Sequence, residues 1–182
     1  WLNTKPDDVR QVREYTANTA KNWKDFMGML RGVATRKDEP ANLIIQLGDL
    51  SEGLAGTPEK ARQMAAHSME AVEKADLGPA WLLVKGNHDI TGPGAPEAFL
   101  EYYIPMIRKQ TKNPEIKSAN YSYSFGNVQI TCLDPWDKSI DFVGFLDKEL
   151  SGSKAAVKIV AIHEPIIPVT ERCWHVLRND PE

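Results

Sequence analysis

Trp81-Leu82-Leu83-Val84-Lys85-Gly86-Asn87-His88-Asp89 decides how this chain reads. A short apolar run, long enough for a strand and too short for a helix, meets a glycine and then side chains that carry chemistry. Upstream, Asn42-Leu43-Ile44-Ile45-Gln46-Leu47 runs into Gly48 and Asp49 in the same way. Downstream, Val157-Lys158-Ile159-Val160-Ala161-Ile162 leads directly to His163. In open α/β sheets the loops at the carboxyl ends of the strands share one edge and form the ligand crevice. The pattern therefore predicts that Asp49, Asn87 and His163 converge at one edge of a sheet whose strands run parallel. A carboxylate, an amide oxygen and an imidazole form a mixed N/O donor set, suited to divalent Mn, Fe or Zn. Glycine just before the donor lets the backbone turn sharply.

The intervening segments supply helices and a hairpin. From Asp7 to Val33 apolar residues recur at Val9, Val12, Tyr15, Trp23, Phe26, Met27 and Leu30, a helical stripe with an acidic start. Thr57-Pro58, a cap followed by proline, opens a second helix that ends near Gly78-Pro79. Thr91 to Pro96 reads as a loop, and Glu97 to Ile104 as a short helix stopped by Pro105. Tyr121, Tyr123 and Phe125 then alternate with serines, and Gly126-Asn127 turns the chain back through Val128 to Leu133, a hairpin. Phe142, Phe145, Leu146 and Leu150 mark one more helix, closed by Ser151-Gly152.

The length of 182 residues suits a single domain. A formal net charge of -3 and a pI near 5.9 argue against the broad basic footprint that duplex nucleic acid selects. Cys132 and Cys173 form neither a disulfide framework nor a sulfur-based zinc motif. No apolar run approaches the ~20 residues that span a bilayer. A soluble protein is expected, cytoplasmic or secreted after signal removal. The chain opens at Trp1 rather than Met, so sequence upstream is expected as well.

Gly48-Asp49, Gly86-Asn87-His88-Asp89 and His163, in that order and each at a strand end, resemble the calcineurin-like metallophosphoesterases. Their pattern is Asp-x-His, Gly-Asp, Gly-Asn-His-Asp or Gly-Asn-His-Glu, a lone His after a strand, and Gly-His-x-His. The resemblance implies an α/β fold with two mixed sheets flanked by helices in four layers. It also implies hydrolysis of phosphate esters, monoester or diester, at a dinuclear centre of two divalent ions (Mn, Fe or Zn) with a metal-activated hydroxide. Asp49 would bridge the ions, Asn87 and His163 would complete the shell of the second, and His88 would protonate the leaving group. Histidine suits that task because it titrates near neutrality. Glu52 falls where relatives place an acid that orients the catalytic His, and Asp89 would tune the same loop. The partner implied is a small phosphate ester.

Taken singly, Asp49 is an ordinary turn former, Asn87 a left-handed turn residue and His163 a satisfied histidine; the ordered set is what carries the signal. The Asp-x-His and Gly-His-x-His blocks do not occur in residues 1–182. The domain is accordingly expected to be incomplete at both ends. The rival reading is a noncatalytic scaffold or binding protein on the same fold; such proteins lose the proton-donating His, and His88 is present. His67 and His175 read as surface or packing residues. Trp136, just past the hairpin, is placed equally well to line a cleft or to close the core.

Overall fold

The computed structural model describes residues 9–51 and 55–165. Helix α1 (Val9–Ala34) leads to strand β1 (Leu43–Gln46), helix α2 (Pro58–Ala75) and strand β2 (Ala80–Leu83). A continuous helical segment follows: α3 (Ala95–Ala98), a π-helical turn (Phe99–Tyr103) and α4 (Ile104–Thr111). Strands β3 (Tyr121–Phe125) and β4 (Val128–Cys132), helix α5 (Phe142–Gly152) and strand β5 (Val157–Ala161) complete it.

The local signals act as expected at most boundaries. The Thr57 side chain caps α2 by accepting from the Lys60 N–H at 3.3 Å, with Pro58 in the first turn where its missing N–H costs nothing. Asp76 ends the helix in the left-handed conformation. Asp141 caps α5 by accepting from Gly144 N–H. Tyr121 and Cys132 face each other at the open end of the hairpin, and Phe125 and Val128 at its turn. Helix α1 presents Met27 and Ala34 to the core, with Trp23 and Leu30 packed against it. Cys132 is a buried free thiol on β4, pushed up to about 11 by burial; Cys173 and His175 lie outside the described residues.

Pro105 does not stop its helix. The chain starts helical at Ala95, with Pro96 in the first turn, and passes Pro105 to Thr111. The π-helical turn at Phe99–Tyr103 widens the hydrogen-bond ladder just before Pro105, which then stands in the first turn of α4, where proline fits.

The strands also divide differently from expectation. β1 and β2 pair in parallel through the α2 crossover, whereas β5 pairs in parallel with β4 in a separate sheet of order β3-β4-β5. The α5 crossover is short and lands β5 beside the strand it has just left, at register Val128 to Val157. The three donor-bearing strands thus belong to two sheets rather than one.

Two of the polar ties between the sheets lie in the core and at the strand ends. The Tyr121 hydroxyl donates to the Leu83 carbonyl and accepts from the Leu83 N–H, both at 3.0 Å, closing the edge of β2 with a side chain from β3. Burial pushes that phenol well above its ordinary range, which keeps the donor proton in place. At the strand ends, Lys85 Nζ meets Asp134 Oδ2 at 2.7 Å, with the lysine side chain 12% and the aspartate 1% exposed. Around them Leu82, Leu83, Val84, Phe99, Tyr103, Ile107 and Ile130 form the centre of the core. Tyr121→Phe removes the only side-chain partner that β2 has at Leu83 among these bonds. It should lower stability by about 1–3 kcal/mol, the cost of unsatisfied buried backbone groups. Urea unfolding checks this; an unchanged midpoint and slope would refute the tie.

Candidate metal centre

Each donor side chain is aimed by its own loop. After β1 the Gln46 side chain folds over the turn: its amide donates to the Gly48 carbonyl at 2.6 Å, and its oxygen accepts from the Gly48 N–H at 2.7 Å. Gly48 has φ +101°, open to glycine, and Asp49 follows at φ +58°, a left-handed conformation that aspartate tolerates better than most residues. The Asp49 carboxylate Oδ1 accepts from the backbone N–H of His88 at 3.0 Å. That bond ties the Gly48-Asp49 turn to the Gly86–Asp89 loop after β2.

Asp89 sits beneath both loops. Its Oδ2 accepts from the Gly86 N–H at 2.8 Å and from the Asp49 N–H at 3.1 Å. The residue is buried, and Oδ1 has no hydrogen-bond partner. Burial pushes its carboxyl up to about 6; the two N–H donors pull the other way, and the Asp49 charge adds to the rise. Asp89 thus anchors the backbone that carries Asp49, Asn87 and His88.

His163 arrives from the second sheet. Its Nδ1 lies 2.6 Å from the Leu47 carbonyl oxygen, which only accepts, so the Nδ1 proton is committed there. In the neutral ring Nε2 is then a lone pair. It lies 2.9 Å from Asn87 Oδ1 and 3.5 Å from Asp49 Oδ2. These three atoms face one another closely enough to share a single cation. A histidine whose other nitrogen donates to a backbone carbonyl is the usual arrangement at metal sites. The residues therefore fit a divalent cation with mixed N/O ligation. Among the described residues no three His, Cys, Asp or Glu side chains cluster as a metal-holding group, because the set here includes the Asn87 amide.

The structure thus brings together Asp49, Asn87, His163 and the loop of His88 and Asp89. His88 lines a small cavity with Ser51, Asp89, Phe99 and Tyr103. The Tyr103 hydroxyl donates to Ser51 Oγ at 3.0 Å. Glu52 lies outside the described residues, and His67 is exposed on α2, away from the site. Trp136, undecided from sequence, has its ring centroid 6.0 Å from that of His163. Gln46, Lys85 and Asp134 went unremarked as positioning residues. Only Asp134, a carboxylate directly after an apolar strand, repeated the signal that marked the donors.

The Asp89 shift carries a pH dependence with a definite sign. Its folded value of about 6 lies above the ordinary 3.8, so the native state binds its proton more tightly than the unfolded chain. The resulting stability is present below about pH 4 and is lost as pH rises through about 6, a change of roughly 3 kcal/mol. Asp89→Asn keeps an acceptor for the two N–H groups and has no proton to lose. In chelator, its stability relative to the parent should rise from pH 4 to pH 7; a difference independent of pH would refute the burial argument.

No curated protein matches the chain. The family profile for calcineurin-like phosphoesterase matches residues 19–179. The span holds every donor discussed above and most of the sequence, so the chain belongs to the calcineurin-like phosphoesterase family.

Proposed function

We propose that the chain hydrolyses phosphate esters, with Asp49, Asn87 and His163 holding a divalent cation and His88 protonating the leaving oxygen. The observation that carries this reading is His163: its Nδ1 proton is spent on Leu47, and its Nε2 faces Asn87 Oδ1 and Asp49 Oδ2. When bound, divalent metal supplies charge that polarises the phosphoryl oxygens and lowers the pKa of a coordinated water.

The remaining work falls to the protein. Asp49, held by the His88 N–H, and Asn87 fix where the phosphoryl group is received. His88 stands on the same loop and delivers a proton to the departing alkoxide oxygen. Glu52, two residues past the Asp49-Leu50 turn in sequence, would hold that imidazole, and Asp89 keeps the loop in register through Gly86 and Asp49. The substrate is a small phosphate ester, monoester or diester. The family's dinuclear centre of Mn, Fe or Zn would share Asp49 between its ions. The family's four-layer arrangement of two mixed sheets is proposed for the domain; among the described residues the first sheet is a parallel pair and the second is mixed.

The donor count generates one prediction. Three protein donors converge on one position, while a second cation would receive only the shared Asp49 from these residues. Residues 1–182, equilibrated with manganese or zinc and dialysed, should retain about one ion per chain, because affinity follows ligand number and preorganised geometry. His163→Ala should release it. Two tightly held ions, or retention without His163, would overturn the assignment.

The acid role generates another. In catalytically active protein, His88→Ala should lower kcat for esters with poor leaving groups by about 10²- to 10⁴-fold. Metal content should stay constant, and activated aryl phosphates should suffer less. Equal losses for good and poor leaving groups would remove His88 from that role.

A further inference from the structure

We propose that Trp136 determines specificity at this site, its indole face forming a platform for an aromatic group on the phosphate ester, as a nucleobase would supply. The inference rests on the hydrolytic site described above and names the substrate class it takes.

Trp136 stands outside the hydrophobic core. It is neither among the buried residues nor among the partly buried ones packed on them, so core packing does not account for a half-buried indole here. The ring is instead beside His163, with centroids 6.0 Å apart and planes at 51°. At that tilt the two rings do not stack on each other. They make two walls of a corner, with His163 Nε2 directed at the donor set.

The backbone that carries the indole is fixed. The main-chain N–H of Trp136 donates to Asp134 Oδ1 at 3.0 Å, and Asp134 Oδ2 pairs with Lys85 at 2.7 Å. Asn120 clamps the Asp134 backbone from both sides, its oxygen accepting from the N–H at 2.8 Å and its amide donating to the carbonyl at 3.3 Å. Lys85 precedes Gly86-Asn87-His88, so one buried carboxylate positions both the tryptophan loop and the loop of the donors. A buried ion pair contributes little net stability, and fixing a unique geometry is its best-attested use. Held this way, the loop that carries the ring is preorganised, and little backbone freedom is left to lose on binding.

A phosphoryl group received at Asp49, Asn87 and His163 lies beside the Trp136 ring, which adjoins His163. Aromatic rings interact at centroid distances of about 4.5–7 Å, the scale of the corner. Stacking on an aromatic side chain tolerates any base because every base has a π-face. A sugar phosphate without a base offers no such face.

The test is calorimetric binding to the manganese-loaded protein of adenosine 5′-monophosphate, phenyl phosphate and ribose 5-phosphate. The parent should bind the nucleotide about 5- to 100-fold more tightly than ribose 5-phosphate. Trp136→Ala should abolish that preference while leaving ribose 5-phosphate unchanged, and Trp136→Phe should restore part of it. Phenyl phosphate matching the nucleotide would identify a simple aryl ester as sufficient; weaker binding would identify the base. Phosphate binding without any preference, or a preference that survives in Trp136→Ala, would overturn the role of Trp136 alone. Failure of all three to bind would overturn the hydrolytic site itself.

Discussion

A Cβ placed on Gly48 would lie 2.6 Å from His163 Nδ1 and 2.8 Å from the Gly86 Cα, so three strand ends meet here with no side chain between them. A Cβ on Gly86 would collide with the Asp49 backbone nitrogen and carboxylate. Both contacts involve groups that cannot move aside: a ring bonded to Leu47, a backbone, and an aspartate held by His88. The distances among Asp49, Asn87 and His163 depend on this close approach. A methyl group at either glycine would force these groups apart.

The approach itself is held from below and from the side. Asp89 accepts N–H bonds from both glycine-bearing loops, which makes one carboxylate the common reference for Asp49 and for Asn87. From the side, Tyr121 and the Lys85–Asp134 pair fix the first sheet against the second, and His163 belongs to the second. Neither sheet alone contains the donor set. A change at the junction between the sheets therefore reaches the site as well as the core.

The periodic signals explain why much of this was legible in sequence. Strand ends, helix caps and the hairpin turn are written in adjacent residues, as at Thr57-Pro58 and Gly126-Asn127. The donors were legible because each follows a short apolar run. The division into two sheets was not, because strand pairing depends on where α5 returns the chain, and no local residue states it. Pro105 misled because its effect is set by the π-helical turn before it. Gln46 and Lys85 escaped notice because a polar residue in or after a strand looks solvated until its distant partner is known. Glu52 lies outside the described residues, so its expected role stands on sequence alone.

The departures from ordinary local chemistry gather in one corner of the molecule. Asp49 is left-handed without being glycine, Asp89 buries an oxygen with no hydrogen-bond partner, and Trp136 stands half-exposed outside the core. The other left-handed non-glycine residues among those described, Asp76 and Lys112, sit at helix C-termini, where that conformation is ordinary. Strain like that at Asp49 persists only where the surroundings over-determine it, and it is most often kept at functional sites. Here the surroundings can be named. Asp49 is restrained at its N–H by Asp89 and at Oδ1 by His88, and the chain just before it is clamped by Gln46. Those bonds hold aspartate in a left-handed conformation that it tolerates better than most residues do.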